Sequence, residues 1–136
     1  MENPGNSFEE RVWEDGRYPL QAYEFLHEGL KYTTRRCWGD VSSTEPRHVT
    51  GQQLAEGLRD YAIERWGALA PVVLRHWNIR STLDFGKMVF FLVEMQLMGK
   101  QDSDRLEDFA DVYDFDDAFA DYVIPVEQAY ASGAGE

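Results

Sequence analysis

Apolar residues recur at helical spacing along most of this chain, and polar or glycine punctuation divides them into segments. Ser7-Phe8-Glu9-Glu10 has the form of a capping box, in which the Ser caps and the Glu reaches back. It predicts a short helix through Trp13, ended by Asp15-Gly16. Pro19 suits a first helical turn, and Ala22, Phe25, Leu26 and Gly29 then mark a long helix over 20–36. Arg35 and Arg36 at its end complement the helix dipole. Residues 39–46 read as a loop.

Thr50-Gly51-Gln52-Gln53 is a second capping box. Leu54, Leu58, Tyr61, Ala62 and Trp66 follow as one buried stripe, with Gly67 as the closing residue. Residues 68–77 read as a shorter helix with Pro71 in its first turn, and 78–80 as a tight connection. Ser81-Thr82-Leu83-Asp84 opens the most apolar helix, 82–98, expected to lie nearly enclosed at the centre and to close at Gly99. Beyond it, 98–101 can pair with 111–115 as a small β-hairpin, or Asp114-Phe115-Asp116-Asp117 can cap a last helix through Tyr122. The fold class expected is mainly α: a compact four- to five-helix domain around the 82–98 helix, spanning 14–124. A short N-terminal segment, 1–13, precedes it and a flexible tail, 125–136, follows.

A length of 136 residues fits one domain with a real core, and 14% aromatic content argues against a disordered chain. The formal net charge is -12, unevenly placed: residues 102–136 carry 11 acids against Arg105 alone. That field repels phosphate backbones, so direct nucleic-acid binding is disfavoured. The stretch 31–80 has eight bases against five acids, and is the expected acceptor should the acidic third dock on the body. Residues 1–7 read as no secretory leader, no run approaches the roughly 20 apolar residues that span a bilayer, and a cytoplasmic protein without membrane contact is expected.

Specific chemistry finds little support. The helix pair 68–77 and 82–98 has helix-turn-helix spacing, but apolar residues cover nearly every face of the second helix. His27, Cys37, His48 and His76 match no compact zinc pattern, and Asp102-Ser103-Asp104 is followed by Leu106 and Glu107 where a calcium loop needs an oxygen ligand and a glycine. No nucleophile motif or glycine-rich phosphate loop occurs, so no catalytic residue, metal or cofactor is assigned.

Two groups remain as candidate sites. Arg47 and His48 precede the helix start at Thr50 and Gly51, where free N–H groups favour an anion: a ligand phosphate, a partner's C-terminus or a carboxylate of this chain. The plainer reading is that Thr50 only caps and Arg47 pairs with the acidic third. The second group is Tyr113, Asp114, Phe115, Asp116 and Asp117, whose carboxylates would steer a basic protein partner while exposed aromatics anchor it.

Four segments carry a resemblance: RYPLQAYEFLHEGLKYT (17–33), RHVTGQQLAEGLRDYA (47–62), FGKMVFFLVE (85–94) and DFADVYDFDDAF (108–119). On these the chain resembles a widespread family of small bacterial proteins with no assigned activity, over about 14–122. The family usually has an aspartate and proline before the first long helix, where this chain reads Asp15-Gly16-Arg17-Tyr18. It often has glycine at Asn78, and Gly-Leu-Leu where Gln96-Leu97-Met98 stand. The resemblance implies the domain boundaries and no particular activity. The absence of catalytic motifs and the acidic, aromatic surface make the functional expectation a non-enzymatic interaction or adaptor module, with a small-anion or phosphate-ligand protein, either a binder or an enzyme, using Arg47 and His48 as the alternative.

Overall fold

The computed structural model describes residues 4–39, 48–99 and 104–119. The chain is mainly α, with no strand among the described residues. Helix α1 spans Pro4–Asp15, α2 Leu20–Trp38, α3 Gly51–Trp66, α4 Ala70–His76, α5 Thr82–Glu94 and α6 Phe115–Phe119. Single 3-10 turns occupy Gly67–Leu69 and Leu106–Phe109.

α3 is the hub, because it packs against α2, α4, α5, α6 and both 3-10 turns. Its start is set by the predicted capping box: Thr50 Oγ1 accepts the Gln53 N–H at 3.1 Å, and Gln53 Oε1 accepts the Thr50 N–H at 2.8 Å. Its pairing with α2 depends on small residues. The Thr33 hydroxyl donates to Gly29 O at 2.7 Å and lies where a side chain at Gly57 would be, since an added Cβ would meet Thr33 Oγ1 at 1.8 Å. That close approach outweighs the cost of about 1 kcal/mol that a glycine imposes on a helix interior. α5 is the most enclosed helix, as its composition predicts: Phe85, Met88, Val89, Phe91 and Leu92 are buried, and Glu94 is its one exposed residue.

Three expectations need correction. α1 begins at Pro4, so Ser7 lies inside the helix and is not its cap; a proline at the first helical position loses no hydrogen bond. α5 stops a turn early. Gln96 takes φ 62°, with Gln96 N–H donating to Val93 O at 3.0 Å and Leu97 N–H to Leu92 O at 2.9 Å. This is a left-handed helix stop with Gln96 in the place glycine favours, so Gly99 is not the closing residue. The hairpin is the third: Met98 and Asp111–Tyr113 form turns and bends, Phe115 is helical, and 100–101 fall outside the described residues. Two strands alone bury too little to compete with helical packing. The alternative, a helix capped by Asp114, is realised over Phe115–Phe119, and its expected extension to Tyr122 lies outside the described residues.

α4 ends in the same way as α5. Asn78 has φ 67°, Asn78 N–H donates to Arg75 O and Ile79 N–H to Leu74 O, both at 2.9 Å. Asn tolerates this conformation better than Gln does, because its short polar side chain bonds locally. Asn78 and Gln96 are thus two non-glycine residues held at positive φ, each at a helix end. Gln96→Gly is expected to stabilise the fold by about 1 kcal/mol in chemical denaturation. Unchanged or lower stability would contradict this account of the α5 terminus.

Candidate functional site

The acidic segment 104–119 lies docked along α3 and α5, and we refer to it as the arm. Phe109 is buried, with its ring against the backbones of Gly51 in α3 and Gly86 in α5. A Cβ at Gly86 would lie 2.8 Å from that ring, too close for it to stay where it is, and one at Gly51 would lie 3.1 Å from it, a tight contact that would make the ring give by a few tenths of an ångström. The buried Thr82 hydroxyl closes the joint. It donates to Phe109 O at 2.6 Å and accepts the Val112 N–H at 3.2 Å. Further along, the Tyr113 hydroxyl donates to Ala55 O at 2.7 Å, and Arg59 stands over the Tyr113 ring at 5.5 Å. Burial pushes the Tyr113 phenol above its ordinary pKa, and Arg59 offsets part of that rise.

Each sequence-derived group has one member on this face of α3, Gly51 from the first and Tyr113 from the second, without a contact between the two. Gly51 meets Phe109 and the Asp108 Cβ, and one turn on, Ala55 meets Tyr113. Thr50 is exposed and engaged in its own capping box. His48 is half-buried: its Nε2 lies 3.2 Å from Asp104 Oδ1, and its carbonyl accepts the Trp38 indole N–H at 3.0 Å. Arg47 lies outside the described residues. The hollow beside His48, about 390 Å³, is lined by Asp104 and Asp108 as well as Arg105. An added anion there would meet two carboxylates of the chain itself.

Tyr113 and Phe115 are half-buried and turned toward the body. Phe115 packs 5.9 Å from Phe85, 5.8 Å from Tyr113 and 5.5 Å from the buried Phe119. Asp114 caps α6, its Oδ1 accepting the N–H groups of Asp116 at 2.8 Å and Asp117 at 3.3 Å. Glu107, Asp111, Asp114, Asp116 and Asp117 all face solvent. His48 and Arg59 belong to the stretch expected to receive the arm, but most of the docking contact is aromatic and runs to α5 as well.

A second concave region escaped sequence reasoning. A groove of about 1100 Å³ runs between the end of α1, the α1–α2 turn and the end of α4, with Trp13, Tyr18, Leu20 and Trp77 in its lining. Behind it sits a cluster of titratable groups. The Tyr18 hydroxyl donates to Asp84, whose other oxygen accepts the N–H groups of Arg80 at 2.9 Å and Ser81 at 3.1 Å. Asn78 donates to Arg17 O at 3.1 Å and ties α4 to the α1–α2 turn. Tyr18 and Asp84 are 66 residues apart and Arg17 and Asn78 are 61 apart, which no local pattern reports.

Among the described residues no helix is long and apolar enough to cross a membrane, and no group of three or more His, Cys, Asp or Glu is placed to hold a metal ion. Fold and site together define a small all-α domain bearing a docked acidic arm. No family model, curated protein or solved structure matches the chain.

Tyr23 offers a direct check on this corner of the core. It is 3% exposed, and its hydroxyl finds no hydrogen-bond partner among the described residues. Burial, helped by Asp15 and opposed by Arg17, pushes its pKa from 10.0 up to about 12. A raised folded-state pKa means that the stabilisation is complete below the unfolded value and is lost as pH climbs through the folded one. Melting temperature is expected to fall between pH 10 and about 12. Tyr23→Phe, which removes an unpaired buried hydroxyl, should be at least as stable at pH 7 and fall less steeply in that window. An identical fall in both proteins would contradict the assignment.

Proposed function

We propose that the protein is a non-enzymatic interaction module that presents the arm's carboxylates to a basic surface of a protein partner. The observation that carries this reading is the division of labour within the arm. Phe109, Phe115 and Phe119 hold it to the body, and five carboxylates between Glu107 and Asp117 stand in solvent. Charges held on a packed backbone steer a basic partner from a distance, and little ordering entropy is lost on contact. The same field disfavours phosphate ligands. The reading includes a cytoplasmic setting and the resemblance to the bacterial family, which the positive φ of Asn78 and Gln96 supports.

Exposed ion pairs contribute about 0.2–1 kcal/mol each, so losing three should weaken binding about tenfold. Quantitative capture from the native host's lysate, comparing wild type with the Asp114/Asp116/Asp117→Asn triple variant, is the test. Asn at 114 keeps the helix cap, so the fold is preserved. The expected result is a specific partner whose capture falls with added salt and about tenfold with the triple variant. Capture indifferent to both would overturn the proposal.

A further inference from the structure

The groove between α1 and α4 is a second interaction surface, and we infer that it takes a protein segment in which a Lys or Arg stands beside an apolar side chain. The inference is independent of the arm. Trp13 is 86% exposed, although it lies on a helix whose neighbouring Val12 is buried in the core. Glu10, Trp13 and Glu14 are spaced three and one residues apart, which places them on one face of α1, and all three are exposed. An indole flanked by two carboxylates suits a cation, which gains from the ring face and from both charges.

The far side of the groove is apolar and aromatic, with Leu20 and Trp77. Trp77 is held by core contacts, its ring 5.5 Å from Trp66 and 6.0 Å from Phe25, so that wall is fixed before any ligand arrives. The charge of the lining is unbalanced. Arg17 is committed to Asp15 at 2.9 Å, whereas Glu9, Glu10 and Glu14 have no ion-pair partner among the described residues. Charge complementarity therefore selects a basic occupant. It disfavours a second copy of a chain with net charge -12, as well as nucleic acid and anionic lipid. At about 1100 Å³ the groove is larger than most small-ligand pockets and has room for several side chains of a peptide.

The chain has four tryptophans, and their indole N–H signals give the test. The full-length, nitrogen-15-labelled protein is titrated with a synthetic twelve-residue peptide of leucine and lysine, and with a counterpart in which every lysine is glutamate. The leucine–lysine peptide should shift the Trp13 and Trp77 indoles while leaving Trp38 in place, and the glutamate counterpart should shift none. Affinity should drop about tenfold in Trp13→Ala and in Glu10→Gln/Glu14→Gln, yet persist in Asp116→Asn/Asp117→Asn. All of these positions are solvent-exposed, so the variants keep the fold. The inference fails if neither peptide moves the indoles, if both peptides bind alike, or if the groove variants bind as tightly as wild type. Binding lost only in the Asp116→Asn/Asp117→Asn variant would locate the peptide on the arm, supporting the arm's role and overturning the groove's.

Discussion

Phe109 enters a slot that exists because two helices each present a glycine, Gly51 of α3 and Gly86 of α5, to the same ring. Around that contact the Thr82 hydroxyl bonds both the Phe109 carbonyl and the Val112 N–H, fixing the direction in which the arm continues. Tyr113, Phe115 and Phe119 then fall against Ala55, Phe85 and the neighbouring core. The opposing force is repulsion among the arm's carboxylates. Two charges 8 Å apart in water repel by about 0.5 kcal/mol before salt screening, and by less at physiological ionic strength. Burying one phenylalanine side chain contributes about 1.5–3 kcal/mol. Aromatic burial therefore wins, and Glu107, Asp111, Asp114, Asp116 and Asp117 stay exposed to water while Asp104 turns to His48.

Local signals along the chain described the helices well where a cap decides the boundary. The Thr50 capping box and Gly67 bracket α3, and Asp84 reaches back to Ser81 at the start of α5. Reading failed where several residues could end a helix. Gln96 stops α5 by adopting a conformation that is unfavourable for its type, so the pattern pointed to the next glycine instead. The arm was legible as acidic and aromatic but not as docked. Outside a regular helix no periodicity tells which way a side chain points, so Tyr113 and Phe115 carried no sign of turning inward. The clue lay elsewhere, in Gly86 at the middle of an otherwise bulky apolar helix: a glycine there weakens the helix and gains only if something packs against it closely.

The arm and the groove are linked through α4. It packs against α6, and its last residue, His76, and Trp77 directly after it line the groove. The two surfaces share a sign of charge but differ in character. The arm offers carboxylates on a packed scaffold with its aromatics turned in, and the groove offers an exposed indole between carboxylates. On the two proposals made above, a partner with a basic patch and a protruding basic-apolar segment would satisfy both surfaces.

The contact between Phe109 and the two glycines is the claim on which this account rests, and nuclear Overhauser spectroscopy reads it directly. The account predicts cross-peaks from the Phe109 ring to the Hα protons of Gly51 and Gly86, with both glycine signals shifted by the ring, and slow amide exchange at Val112. Absence of those cross-peaks, together with amides of residues 104–119 exchanging at the rate of an unstructured peptide, would contradict it.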